Sequence, residues 1–174
     1  MGMMGVMRPP ERYAPDLAAC HERARTGPCF ACGIVARDPD FSDHHIVYED
    51  DSVIAFFYRW STQRGYTLVA PKDHGGQATG NFTVDEYLAL QRVVCRVAEA
   101  CRKGVGAERV YVLSLGPNQG NAHVHWHVVP LPLCGPPYEN QQFAAVMLET
   151  AGALDMPDGE KASLAARIGR RMGG

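Results

Sequence analysis

The sequence predicts an α+β fold: a mostly antiparallel five-stranded sheet with a long crossover helix and additional C-terminal helices. Two β-branched or aromatic runs, His45–Tyr48 and Val53–Phe57, flank Glu49-Asp50-Asp51-Ser52, which is hairpin spacing. Only one long segment, after Thr83, carries an extended 3.6-residue apolar period. Hairpin spacing therefore dominates, and a single long helix crosses over.

In chain order, residues 1–14 are rich in Met, Gly and Pro and have no periodicity, so a loose arm is expected. Pro15 to Arg25 suits a short helix, with Pro in its first turn and Gly27 beyond its end. Pro28-Cys-Phe-Ala-Cys32 reads as a turn-like knuckle, and Tyr66-Thr-Leu-Val-Ala70 as a third strand closed by Pro71. Thr83 and Glu86 have capping-box spacing, so each side chain can satisfy a free amide at the helix start. Val84, Tyr87, Leu88, Val94, Val97, Ala98 and Cys101 continue that helix, with Gly104 expected to stop it. Arg109–Leu115 and Ala122–Val129 are the fourth and fifth strands, and helices are expected over Glu139–Ala151 and Asp158–Met172. The expected organisation is an N-terminal arm and short helix over 1–27, a domain over 28–132, and a helical extension over 133–174 packed on it.

The 174 residues are 46% hydrophobic and 21% charged, as in ordinary globular proteins. A net charge of -2 gives no electrostatic case for nucleic-acid or membrane binding. No apolar run reaches the roughly 18 residues of a spanning helix, and Met1–Arg8 does not read as a secretory signal. A cytoplasmic location is the expectation. Disulfides are then not expected among the six cysteines, and Cys20, Cys95 and Cys101 read as small thiols on helices.

The chemistry concentrates in Asn121-Ala-His-Val-His-Trp-His-Val-Val-Pro130. Alternate residues of a strand share a face, which sets His123, His125 and His127 in a row about 6.6–6.8 Å apart. Val124, Trp126 and Val128 take the apolar face. Imidazoles are costly to bury alone, so they should face a cavity, a metal or one another. Upstream, Gly116-Pro-Asn-Gln-Gly-Asn121 can aim backbone N–H groups and amides at an anion. An imidazole nucleophile beside an anion-holding loop is what transfer at phosphorus requires. A catalytic metal held by two or three of these histidines is the competing reading.

The segment His123-Val-His-Trp-His-Val-Val129 resembles the signature of the histidine triad (HIT) family. The likeness extends through Cys29-x-x-Cys32, Val47-Tyr-Glu-Asp50, Ala55-Phe56, Thr67-Leu-Val69, Pro71-Lys-Asp-His74, the crossover helix and the Gly-Asn loop, roughly residues 28–132. The resemblance implies that His125 is a nucleophile forming a nucleotidyl-histidine intermediate, with His127 contacting the phosphate and assisting the leaving group. It implies that the main chain near His123 orients His125, and that Gln119, Gly120 and Asn121 face the phosphate, with Ser114 where the family often has an amide. It also implies a homodimer whose sheet continues across the two-fold axis.

One branch of the family binds structural zinc, and the corresponding ligands here are Cys29, Cys32, His74 and His123. Such a Cys₂His₂ set suits tetrahedral zinc. A metal-free thiol pair is the alternative, although no thioredoxin-like βαβ pattern surrounds it.

Two positions depart from the family pattern. Where an Asp or Asn commonly binds the ribose hydroxyls stands Tyr58, and where a fourth histidine commonly follows Gly stands Tyr66. A phenol can donate to phosphate or ribose but does not accept as a carboxylate does. Phe57, Tyr58 and Trp60 offer surfaces for a base or for core packing, while Arg59 and Arg64 offer charge for extra phosphates or for solvent. Asp43-His-His45 is expected at the surface. The resulting expectation is a nucleotide hydrolase or nucleotidyl transferase; a nucleotide-binding protein with little catalysis, a phosphorylase, or an enzyme for an unusual nucleotide conjugate are the alternatives.

Overall fold

The computed structural model describes residues 11–115, 122–132 and 146–173. Its elements are β1 (Arg12–Tyr13), α1 (Leu17–Thr26), α2 (Phe30–Val35), β2 (Ile46–Glu49), β3 (Val53–Phe57), β4 (Thr67–Pro71), α3 (Val84–Val105), β5 (Ala107–Leu113), β6 (Trp126–Pro132), α4 (Leu148–Ala151), β7 (Ala153–Leu154) and α5 (Asp158–Gly169). Strands β2-β3-β4-β6-β5 lie side by side in one sheet, and every pairing is antiparallel. The expected α+β architecture is the observed one.

Alternation along the strands divides the core in two. Val53, Ala55 and Phe57 of β3, Val69 of β4 and Trp126 and Val128 of β6 face α3 and α5. Ile54 and Phe56 of β3, Leu68 and Ala70 of β4 and Val129 of β6 join the opposite cluster, which α2 covers with Ala31 and Ile34. Each large aliphatic or aromatic side chain buried this way contributes about 1.5–3 kcal/mol relative to exposure. The register sets Phe56 beside Leu68 and Leu68 beside His127, so β6 delivers its histidine into the second face.

Helix α3 begins as expected, with Thr83 accepting from the Glu86 amide and the Glu86 carboxylate accepting from the Thr83 amide. Its end differs. Gly104 lies inside the helix, because its missing side chain lets α5 approach: a Cβ there would sit 2.6 Å from Ile168 Cγ1. The stop is Gly106, at φ 70°, whose amide closes on Arg102 O.

Other differences have local causes. The expected knuckle at Cys29 is the N-cap of α2. The expected loose arm contributes β1, which pairs with β7 through Arg12↔Leu154 and Tyr13↔Ala153. Arg12 explains the order there, donating to Thr62 O, Ala151 O and Gly152 O. Helix α5 ends at Gly169 rather than Met172. Of the helix expected over 139–151, residues 139–145 lie outside the described residues, as does Cys134. Among the described residues no helix is long and apolar enough to cross a membrane.

Candidate active site and metal centre

Strand β6 begins at Trp126, so His123 and His125 precede the ladder instead of belonging to it. The cause is Pro71, the residue that would face Val124: it has no N–H to offer. The Val124 amide instead donates to Gly75 O at 2.6 Å. Side-chain alternation persists, with Val124 in the α3-facing core and all three histidines buried.

Each histidine has a different set of partners. His123 Nε2 donates to Pro71 O at 2.9 Å, which frees Nδ1 as a lone pair. That nitrogen lies 3.3 Å from Cys29 Sγ and 3.7 Å from Cys32 Sγ, and His74 Nδ1 lies 3.4 Å from Cys32 Sγ. The four donor atoms all fall within 4.8 Å of one another. A tetrahedral zinc with its usual bonds to sulfur and nitrogen separates its ligand atoms by roughly 3.5 Å, so the donor set fits. The Pro71 carbonyl supplies the outer contact that metal-ligating histidines ordinarily have. Burial raises the Cys29 pKa, but hydrogen bonding to the charged form of His123, in which Nδ1 also carries a proton, and to Cys32 outweighs it and brings the thiol down to about 6. Cys32 moves the other way, to about 11, through burial and the neighbouring Cys29. The pair thus shares one readily lost proton.

His125 Nδ1 donates to His123 O at 2.7 Å. This fixes the tautomer and leaves Nε2 as the free lone pair. Burial lowers the pKa of His125, keeping the ring neutral. Phe30 meets it edge-on at 5.4 Å. His125 O accepts from Ser114 Oγ at 3.0 Å, so Ser114 braces the histidine's backbone.

His127 stands 4.7 Å from His125, ring to ring. Its Nε2 faces Leu115 O at 3.3 Å, and a carbonyl can only accept, so Nε2 carries the proton. Nδ1 then accepts from the Tyr66 hydroxyl at 2.7 Å. Burial, followed by His125, depresses the His127 pKa to about 4. Burial pushes the Tyr66 phenol up, so it stays protonated. Tyr66 is 2% exposed and belongs to the buried cluster. Tyr58 packs 5.0 Å from Tyr66 and 6.1 Å from His127, facing the open side.

These side chains floor a cleft of about 620 Å³. His125, His127 and Tyr58 line it, and Tyr66 stands behind them. The expected phosphate-facing residues Gln119, Gly120 and Asn121 lie outside the described residues. The sequence alone did not point to His44, Phe41 or the α1 wall. Asp43-His-His45, expected at the surface, is split: His44 Nδ1 donates to Phe41 O at 3.0 Å and lines the cleft, while His45 pairs with Asp158. Cys20, Arg23 and Ala24 also line it, and their i, i+3, i+4 spacing was the available signal for a common helix face.

The family model of the HIT domain matches residues 41–132. The chain belongs to the HIT family. That match holds His74 and all three histidines, while Cys29 and Cys32 stand upstream of it. An uncharacterized HIT-like protein of Saccharolobus solfataricus is 31% identical over 106 residues, covering 59% of this chain and 73% of that one. Among solved structures, a hypothetical histidine triad nucleotide-binding protein from Sulfolobus tokodaii superposes with a TM-score of 0.65 at 23% identity, covering 83% of this chain and 92% of that one. A Zn-bound histidine triad family protein from Mycobacterium smegmatis gives 0.61 at 23% identity, with 83% and 95% covered. The latter two likenesses establish the shared HIT fold.

Proposed function

We propose that this HIT protein is a nucleotide hydrolase or nucleotidyl transferase that opens a phosphoanhydride or phosphoramidate through a nucleotidyl-His125 intermediate. The observation that carries the reading is the His125 tautomer: Nδ1–H is committed to the His123 carbonyl, so a buried, neutral ring presents Nε2 to the cleft.

In the reaction, His125 Nε2 attacks phosphorus and the bond from phosphorus to the leaving oxygen or nitrogen breaks. His127 gives its Nε2 proton to the leaving atom. The ring is neutral without ligand, but a phosphate's negative charge favours the imidazolium and raises its pKa. Water or another acceptor then attacks phosphorus, its proton passes to His127, and the bond to His125 breaks. Gln119, Gly120 and Asn121 are assigned to the phosphate oxygens, with Ser114 acting through the His125 backbone.

Zinc at Cys29, Cys32, His74 and His123 would tie α2 to the segment before β6, a structural role. With His123 so engaged, His125 and His127 carry the chemistry. A homodimer, joined through the edge strand β5, is supported by exposed Val112 on that strand and Leu88 and Val84 on α3; analytical ultracentrifugation measures it.

The test is intact-protein mass spectrometry after incubation with adenosine 5′-phosphoramidate and with a diadenosine polyphosphate. A nucleotidyl adduct in wild type, absent from His125→Ala, is the expected result. Undiminished turnover in His125→Ala would overturn the mechanism, and ligand binding without adduct or turnover would favour a purely binding role.

A further inference from the structure

The far wall of the cleft carries positive charge that the reacting histidines do not use. Trp60 lies 6.0 Å from Tyr58, which itself lies 6.1 Å from His127, so two ring contacts lead from the reacting centre to the indole. Two guanidiniums approach that indole: Arg59 at 5.6 Å and Arg23, from α1, at 6.0 Å from the ring centroid. Both arginines and Trp60 line the cleft, and no Asp or Glu does among the described residues. Asp43 holds Arg59 through Nε at 3.3 Å from behind the lining, while Arg23 has no carboxylate within ion-pair distance among the described residues.

Stacking on an indole restrains a guanidinium without consuming its in-plane N–H donors. Two guanidiniums beside one indole on the cleft wall bring charge-assisted N–H donors of the kind that suits an oxyanion. The loop that carries Arg59 and Trp60 is also fixed from behind: Ser61, Thr62 and Gln63 are buried, and Ser61 O accepts from the Leu154 amide. Arg23 stands on helix α1, so both backbones that carry the arginines need little reordering to bind.

We infer that Arg23 and Arg59, arranged around Trp60, form a second phosphate subsite, so that the preferred substrate carries a phosphate group beyond the one His125 attacks. This rests on the proposed nucleotide chemistry and narrows its substrate class to nucleotide conjugates with an added phosphate. The added group can belong to the sugar or to the phosphate chain, since both present the same oxyanion.

Isothermal titration calorimetry on the full, zinc-containing chain tests it with AMP, ADP and adenosine 3′,5′-bisphosphate. Wild type should bind at least one doubly phosphorylated probe about tenfold more tightly than AMP, a difference of about 1.4 kcal/mol. In the Arg23→Gln/Arg59→Gln double variant that advantage should vanish, with AMP affinity changed less than about twofold. Arg25→Gln, which removes a charge from the same helix at a residue paired with Glu22, should retain it. A gain for the bisphosphate alone assigns the subsite to a sugar phosphate; a gain for ADP alone assigns it to the chain. AMP binding with no gain for either, or an equal loss in Arg25→Gln, overturns the subsite and leaves the nucleotide reading standing. No binding of any probe overturns both.

Discussion

The hydroxyl of Tyr66 lies 2.7 Å from His127 Nδ1, on a side chain that is buried and does not line the cleft. It fixes the orientation of a ring that has no other side-chain hydrogen-bond partner among the described residues. Tyr66→Phe should therefore lower kcat by about 10–100-fold, as loss of such outer contacts does elsewhere, with KM changed little. The unpaired Nδ1 should cost about 1–3 kcal/mol of stability. Steady-state kinetics with adenosine 5′-phosphoramidate read the first effect and urea unfolding the second; a lower stability with unchanged kcat would reduce Tyr66 to a packing residue.

The low pKa of His127 has a definite sign. Its folded value, about 4, lies below its ordinary value near 6.5, so its stabilising share is complete above pH 6.5 and lost as pH falls toward 4. A shift of that size corresponds to at most about 3 kcal/mol. Unfolding by urea at pH 7.5, 5.5 and 4.5 should show a shallower decline in His127→Gln than in wild type. Parallel curves would contradict the assignment of a buried neutral ring.

Phosphate binding should reverse that depression. Calorimetry of AMP binding near pH 6, in buffers of different ionisation enthalpy, should reveal proton uptake of up to about one per site. His127→Gln should abolish the uptake while still binding nucleotide. Persistent uptake in the variant would place the proton elsewhere.

For the metal centre, elemental analysis of purified protein should give about one zinc per chain, and Cys29→Ser should bind less. Chelation should lower the melting temperature, because metal held only by the folded state stabilises it. A metal-free protein with unaltered melting would argue for a simple thiol pair.

Gly104 offers a test of packing alone. With Ile168 Cγ1 only 2.6 Å from a would-be Cβ, Gly104→Ala should destabilise the fold by about 1–3 kcal/mol. The intrinsic helix preference of alanine, about 1 kcal/mol the other way, does not overcome this. A more stable variant would mean that α5 can move aside without cost.

The legible parts of the sequence were those with local causes. The Thr83–Glu86 box and the β-branched and aromatic run Val53–Phe57 each determine their element within a few residues, and both recur in the structure. Gly104 and Gly106 look alike in sequence; only the approach of Ile168, sixty-four residues away, separates packing contact from helix stop. The histidine row was readable from its period, but not the interruption of the ladder, which depends on Pro71 in another strand. Tyr66 departs from the family pattern in the sequence itself, while its pairing with His127 depends on the β4–β6 register. The cleft wall from α1 had no comparable local signature.

The clasp made by Arg12 bears on the order in which the molecule assembles. Its contacts to Ala151 and Gly152 span 139 and 140 residues, against a few residues for the β2–β3 hairpin. Closing so long a stretch carries a larger entropic penalty than closing a hairpin. The histidine floor can therefore form while Trp60 and its loop are still unclasped. During synthesis, a nascent chain would acquire its reacting groups before the wall that selects what reaches them.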